Sequence, residues 1–139
     1  MKLKTAKILE VKQKMKITFL GAGSTVFAKN VLGDSMLSPA LRDFEIALYD
    51  IDAKRLEESY LLITKMNECI NEGRATVKKY LGVEERKDAL RNADFVVNAI
   101  QVGLYDPCTI IDFEVPKKYG LRQTIGDTLG IGGIMRALR

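Results

Sequence analysis

The sequence has 139 residues, 47% hydrophobic and 29% charged, which is enough to bury a core and is ordinary for a globular domain. Its net charge of +4 comes from residues 1–14, with five Lys and one Glu, because the other 17 basic and 17 acidic residues cancel. The charge of the domain therefore does not indicate nucleic-acid binding. The apolar runs are too short to span a membrane.

The N-terminal segment and the cysteines indicate where the protein works. Residues 1–14 lack the apolar core and cleavage site of a secretory signal, so we interpret them as a basic extension before a domain that covers residues 15–139. Cys69 and Cys108 have neither a CxxC spacing nor a metal-binding spacing, and two thiols indicate a reducing cytoplasm. Cys69 falls in a helical pattern and is expected to be a small core residue.

Strands and helices are predicted to alternate along the chain. The first strand, 15–20, precedes a helix over 24–36, and the second strand, 44–50, precedes a long helix that begins at Asp52 and ends at Gly73. A weaker strand at 75–81, a helix at 84–93 and an apolar strand at 94–100 follow, and the last strand has the composition of a central parallel strand.

The long helix has one predicted apolar face, and Asp52 is placed to cap its first turn. The apolar residues recur at spacings of three and four: Leu56, Tyr60, Ile63, Met66 and Ile70.

This order of elements predicts an α/β fold with a doubly wound parallel sheet and right-handed crossovers. Such a fold needs about six strands, and four are recognisable, so we expect the front part of a longer protein.

A glycine-rich turn joins the first strand to the first helix. Gly21 and Gly23 allow a tight turn and a close approach to a pyrophosphate, and the helix N-terminus attracts the anion. Ser24 adds a hydroxyl donor. Val26 stands where the dinucleotide-binding fingerprint has its third glycine, which loosens the match without abolishing phosphate binding.

Three residues at strand ends are candidates for binding the rest of a dinucleotide. Asp50 ends the second strand, where a carboxylate binds the adenosine ribose and repels a 2′-phosphate, so NAD is favoured over NADP. Asn98 and Ala99, in the last predicted strand, are expected near the nicotinamide. The alternatives are a turn or capping role for Asp50 and a strand-end amide for Asn98.

The segment 119–133 combines several glycines with one carboxylate, Asp127. Glycine density of this kind indicates backbone brought close to a ligand, and the alternative is a flexible loop before a helix.

Four segments together resemble glycoside hydrolase family 4, and within it the bacterial alpha-galactosidases. They are KITFLGAGSTVFAKNVLGD, FEIALYDID, NAIQVG and IDFEVPKKYGLRQTIGDTLGIGG, which begin at residues 16, 44, 98 and 111. The resemblance implies an NAD-binding Rossmann-like domain of a glycosidase that oxidises the sugar transiently, eliminates the leaving group, adds water and returns the hydride.

The resemblance also implies roles for particular residues. A divalent metal, usually manganese, is held in the family by a Cys and a His, and a tyrosine is the base, but no residue of this chain matches these three, Cys108 included. Asp127 matches an acidic position thought to tune the tyrosine. Thr109 replaces an arginine of the phospho-glucosidase branches, which favours an unphosphorylated sugar. A homo-oligomer is expected for the longer protein, and no turnover for this chain alone.

Two alternatives to a glycosidase stay open on the residues alone. They are a fragment of an NAD-dependent 2-hydroxy acid dehydrogenase of the lactate or malate type, and a non-catalytic NAD-binding module. Lactate and malate dehydrogenases share the glycine turn and the strand-end aspartate but not the segment around Asp127.

Overall fold

The computed structural model describes residues 14–122 and 130–138, and the chain divides into two compact units between Ala99 and Ile100. The first unit contains a four-stranded sheet whose strands are β1 (Lys16–Leu20), β2 (Glu45–Asp50), β3 (Thr76–Leu81) and β4 (Phe95–Asn98). Every pairing is parallel, and the strand order is β3-β2-β1-β4. The sheet grows outward from β1 to β3, and the chain then returns to place β4 on the other side of β1.

Helices lie between the strands, as α1 (Thr25–Leu37), α2 (Ala53–Asn71) and α3 (Gly82–Leu90). α1 and α2 pack against each other over the face of the sheet that carries Phe19. The neighbouring residue on β1, Thr18, points to the opposite face, where its hydroxyl donates to the carbonyl of Ala89 in α3 at 2.7 Å. Helices therefore cover both faces, and the predicted doubly wound α/β fold is confirmed.

The hydrophobic core lies between the sheet and the pair α1 and α2. Because side chains alternate along a strand, every second residue of β1 and β2 enters it, and helical residues fill the space opposite. Its members are Ile17, Phe19, Ala22, Ala28, Leu32, Met36, Phe44, Ile46, Leu48, Leu56, Ile63 and Ala75.

The buried side of α2 largely follows the predicted apolar face but also carries polar residues. Its buried residues recur every three or four positions and include polar ones: Leu56, Ser59, Ile63, Asn67 and Asn71. Tyr60 and Met66 are only partly buried at the flank of this line, and Ile70 is exposed. Cys69 is exposed too, so the expectation that it is a core residue is wrong. Four of the five predicted residues thus face the core, and the buried polar residues lie among them on the same side of the helix.

Strand β4 also departs from its predicted place at the centre of the sheet. It pairs with β1 alone among the described strands, and Phe95 is 59% exposed. Its apolar composition is typical of a strand covered on both faces. The described part of the chain does not supply that cover.

The second unit is helical in the residues described. A distorted π-helical segment (Leu104–Thr109) leads into α4 (Ile110–Lys118), and α5 (Ile131–Leu138) follows. The buried carboxylate of Asp112 in α4 accepts from the Nε of Arg136 in α5 at 3.2 Å, which joins these two helices. Across the described residues, no helix has the length and apolar character needed to cross a membrane.

Candidate functional site

The glycine turn follows β1 directly and lies at the carboxyl edge of the sheet. Gly21 has a φ of +85°, in the left-handed region that glycine adopts without strain. The N–H groups of Gly21 and Ala22 both donate to the carbonyl of Tyr49 at 2.9 Å, and the N–H of Ser24 donates back to Gly21 at 3.0 Å. The turn is thereby anchored to the end of β2.

Gly23 is required for a different reason, which is space. A Cβ at this position would lie 2.8 Å from Oδ2 of Asp50 and 2.9 Å from Cβ of Arg55. Its N–H donates to that same Oδ2 at 2.6 Å. Only a residue without a side chain brings its backbone this close to the carboxylate.

Asp50 has structural contacts through both of its oxygens. Oδ2 accepts from Gly23, and Oδ1 accepts from the N–H of Asp52 at 2.9 Å. The turn role left open by the sequence is therefore real. Each carboxylate oxygen has two acceptor positions, so capacity for ribose hydroxyls remains, and the ribose role stays a prediction.

The first turn of α1 offers backbone donors. The N–H of Ala28 is the first to bond within the helix, to Ser24 at 2.9 Å, and in the described structure no group accepts from the N–H groups of residues 25–27. The hydroxyl of Ser24 is exposed and makes no capping bond. Three unpaired donors at the positive end of a helix favour an anion.

Val26 departs from the fingerprint without consequence for packing. In the fingerprint, the third glycine allows the helix to pack closely on the strand. The side chain of Val26 is 70% exposed and therefore points away from that packing. The close approach between helices occurs about two turns later, at Gly33, where a Cβ would lie 2.9 Å from Cε of Met66 on α2.

Asn98 ends β4 and Ala99 follows it, at the same edge of the sheet. Asn98 lies opposite Leu20 in the register of β4 and β1, and the N–H of Ala99 donates to the carbonyl of Leu20 at 2.8 Å. Both therefore lie beside the residue that precedes Gly21. Their role toward a nicotinamide stays a prediction.

The remaining predicted site residues lie after Ala99. Thr109 is buried, donates to the carbonyl of Leu104 at 3.2 Å and accepts from Nε2 of Gln101 at 3.0 Å. A role in substrate binding stays a prediction. Asp127 lies outside the described residues. Within residues 14–122 and 130–138, no three His, Cys, Asp or Glu side chains cluster as metal ligands.

Ser59 is a residue of this region that sequence reasoning missed. It is fully buried on α2, and its hydroxyl donates to the carbonyl of Ala22 at 2.6 Å. A serine in the second turn of a capped helix, on the line of Leu56 and Ile63, is the only signal for it in the sequence.

A strand, a glycine turn and a helix at the carboxyl edge of a doubly wound sheet place this chain in the class of Rossmann-like α/β domains. Residues 16–139 match the model of the family 4 glycosyl hydrolases, and the chain belongs to that family. The family match removes the 2-hydroxy acid dehydrogenase alternative.

Relatives within the family are much longer than this chain. It is 61% identical over 124 residues to an alpha-galactosidase of Bacillus subtilis (strain 168), covering 89% of the chain and 28% of that protein. It is 34% identical over 125 residues to an alpha-galacturonidase of Thermoanaerobacter italicus, covering 90% of the chain and 25% of that protein.

Solved structures show the same fold. A 6-phospho-beta glucosidase from Thermotoga maritima, determined with NAD and glucose-6-phosphate, has a TM-score of 0.68 at 27% identity and covers 89% of this chain and 28% of that one. A 6-phospho-alpha-glucosidase from gut microorganisms, in complex with NAD and Mn²⁺, has a TM-score of 0.66 at 19% identity, covering 91% and 27%.

Proposed function

We propose that residues 15–139 are the NAD-binding part of an alpha-galactosidase-like, family 4 glycosidase. The observation that carries the proposal is the contact between Gly23 and Asp50. It joins the turn that would hold a pyrophosphate to the carboxylate that would hold a ribose, in a chain 61% identical to an alpha-galactosidase.

The residues at the sheet edge fit NAD. The free N–H groups of residues 25–27 and the Ser24 hydroxyl would hold the pyrophosphate, since these are the unpaired donors next to the turn. The absent side chain at Gly23 leaves room for close approach, and Asp50 would accept from the adenosine ribose. Asn98 and Ala99 would lie near the nicotinamide. NAD, when bound, supplies reversible acceptance of a hydride.

The metal and the base belong to the longer protein. We propose manganese as that metal, since a related structure holds Mn²⁺, while the described residues of this chain offer no cluster for it. The substrate is proposed to be an unphosphorylated glycoside, with Thr109 at the position that distinguishes it. The longer protein is proposed to be a cytoplasmic homo-oligomer, and residues 1–14 a basic extension.

Asp127 is proposed to act on the base of the longer protein by shifting its pKa. An Asp127→Asn change there is expected to lower turnover and alter the pH–rate profile, while NAD affinity and melting temperature stay unchanged. For the 139-residue chain alone, which has no histidine, we expect no hydrolysis of an aryl galactoside with NAD, manganese and reductant. Turnover by the purified chain would contradict this.

The decisive experiment is calorimetric titration of the 139-residue chain with NAD and NADP. We expect NAD to bind more tightly, and Asp50→Ala to cost about 1–3 kcal/mol of NAD binding, since a hydrogen-bond acceptor for the ribose is removed. Asp52→Asn is a matched control because it removes a charge two residues away, while Asn caps helices as well as Asp. Equal binding of NADP by the unaltered chain, or an Asp50→Ala variant that loses nothing, would contradict the ribose assignment.

A further inference from the structure

We infer that Ser59 is a positioning residue for nucleotide binding, because it and Asp50 hold the two polar ends of a single peptide group in the glycine turn. The inference rests on the proposed NAD-binding function and adds to it a residue that lies behind the turn. Ser59 is fully buried on α2, so it acts on a ligand only through the backbone it holds.

The peptide group in question joins Ala22 to Gly23. Its carbonyl accepts from Oγ of Ser59 at 2.6 Å, and its N–H donates to Oδ2 of Asp50 at 2.6 Å. The carbonyl and N–H of a trans peptide point in opposite directions, so these two side chains fix its rotation from both sides. Such fixing matters here because glycine itself restricts the neighbouring dihedrals very little.

The hydroxyl of Thr25 belongs to the same arrangement. It lies 3.0 Å from Oγ of Ser59. A hydroxyl has one hydrogen, and that of Ser59 is directed to Ala22, so Thr25 must be the donor in this pair. The other acceptor near Thr25, the carbonyl of Gly23, lies 3.5 Å away. The Thr25 hydroxyl is therefore directed into the protein, and the exposed hydroxyl beside the turn is that of Ser24.

This chain of hydroxyls sets the start of α1. With the Ala22–Gly23 peptide fixed, the turn delivers the N–H groups of residues 25–27 as a preformed set of donors. Without Ser59, the peptide is held at its N–H end alone, and binding of a pyrophosphate must also order the turn. Adenosine has no phosphate, so its binding does not depend on the N–H groups of residues 25–27.

The test compares two classes of ligand on the 139-residue chain. Ser59→Ala is expected to weaken binding of NAD and ADP by about 3- to 10-fold, the factor that corresponds to one hydrogen bond. Adenosine is expected to keep its affinity. Ser59→Thr, which retains the hydroxyl, is expected to bind ADP more tightly than Ser59→Ala. Affinities are measured by titration, per folded molecule, with folding followed by circular dichroism.

Thr64→Val is the matched control. Thr64 lies on the same helix, and its buried hydroxyl has no partner in the described structure, so its removal is expected to leave both affinities unchanged. The inference is overturned by an equal loss for adenosine and ADP in Ser59→Ala, by no loss for ADP, or by an equal loss in Thr64→Val. If the unaltered chain bound neither NAD nor ADP, the proposed function would fall as well.

Discussion

The two ends of α2 both use polar side chains to hold backbone from other elements, but the backbone differs. At the amino end, Ser59 and the neighbouring Asp50 hold a turn that leads into N–H groups left unpaired in the described structure. At the carboxyl end, Asn67 hydrogen-bonds Ala75, which precedes β3, and Asn71 hydrogen-bonds Arg42, which lies before β2. The backbone groups in these contacts are paired within the protein.

The carboxyl-end network is built from two buried amides. Asn67 donates to the carbonyl of Ala75 at 2.9 Å and accepts from its N–H at 3.1 Å, which imitates the pairing of one strand with another. Asn71 donates to Asn67 and to the carbonyl of Arg42, and it accepts from the Nε of Arg42. The difference between the ends is one of pairing: at the carboxyl end the polar side chains and the backbone they hold satisfy one another, whereas the turn held at the amino end leads into donors that, in the proposed function, a ligand would satisfy.

The largest change in stability is expected from a substitution in the polar network at the carboxyl end of α2. Asn67→Ala leaves both polar groups of buried Ala75 without partners, and we expect the free energy of unfolding to fall by about 2–4 kcal/mol. NAD affinity per folded molecule is expected to stay unchanged. Urea denaturation and calorimetric titration measure the two quantities, and Asn30→Ala, at an exposed position on α1, serves as the control. A parallel loss of affinity would show that the ends are not independent.

A smaller effect is expected at the amino end from Gly23→Ala. The added Cβ would meet the Asp50 carboxylate and the Arg55 stem, a clash of the overpacking kind that costs about 1–3 kcal/mol. A displaced Asp50 carboxylate should also weaken NAD binding, with the dissociation constant rising about tenfold for every 1.4 kcal/mol by which the binding free energy falls.

Gly33→Ala is the natural comparison for that change. Its Cβ meets only the flexible end of Met66, and alanine favours a helix over glycine by about 1 kcal/mol, so we expect unchanged or slightly higher stability and unchanged NAD affinity. Thermal melts and titrations of the two variants, side by side, separate them. Equal behaviour of both would mean that the tight contact at Gly23 relaxes freely.

The smallest effect concerns the ion pair at the carboxyl end. Arg74 donates to both oxygens of Asp43, at 3.0 Å and 2.6 Å, and this hydrogen bonding lowers the pKa of Asp43. A lowered pKa in the folded state contributes stability at neutral pH that is lost as the pH falls below about 4. Asp43→Asn is thus expected to lower the melting temperature slightly at pH 7, less in high salt, and progressively less as the pH is lowered below about 4.

The control for this ion pair is Glu68→Gln. Glu68 pairs with Lys65 within α2 and joins no second element, so we expect a smaller change than for Asp43→Asn. A loss in Asp43→Asn that persisted undiminished at low pH would contradict the electrostatic explanation.

Much of the fold could be predicted from local pattern. Apolar runs located β1, β2 and β4, and a weaker pattern located β3. The side chain of Asp52 caps α2 as predicted, by accepting from Lys54 and Arg55 at 3.0 Å. Gly21 and Gly23 follow from the chemistry of a tight turn, in which positive φ and close approach have few other solutions.

The rest required partners that are distant in the sequence. Ser59, Asn67 and Asn71 are polar, so a search for an apolar face passes over them, and their burial makes sense only once Ala22, Ala75 and Arg42 are known to lie opposite. The same limit applies to Asp50, whose contact with Gly23 spans 27 residues. The prediction for Cys69 fails for a local reason, because this position lies two residues from Asn67, off the line of buried residues of α2, and its side chain is exposed.

The carbonyl of Tyr49, which accepts from both Gly21 and Ala22, has a consequence for local opening. These two amides continue the ladder between β1 and β2, so deuterium should replace their hydrogens only when that ladder separates. The amides of residues 25–27, a few positions along, have no such barrier and should exchange within the native state. The boundary between slow and fast exchange therefore falls where the glycine turn ends and α1 begins, between the amide of Ser24, which is paired, and that of Thr25, which is not.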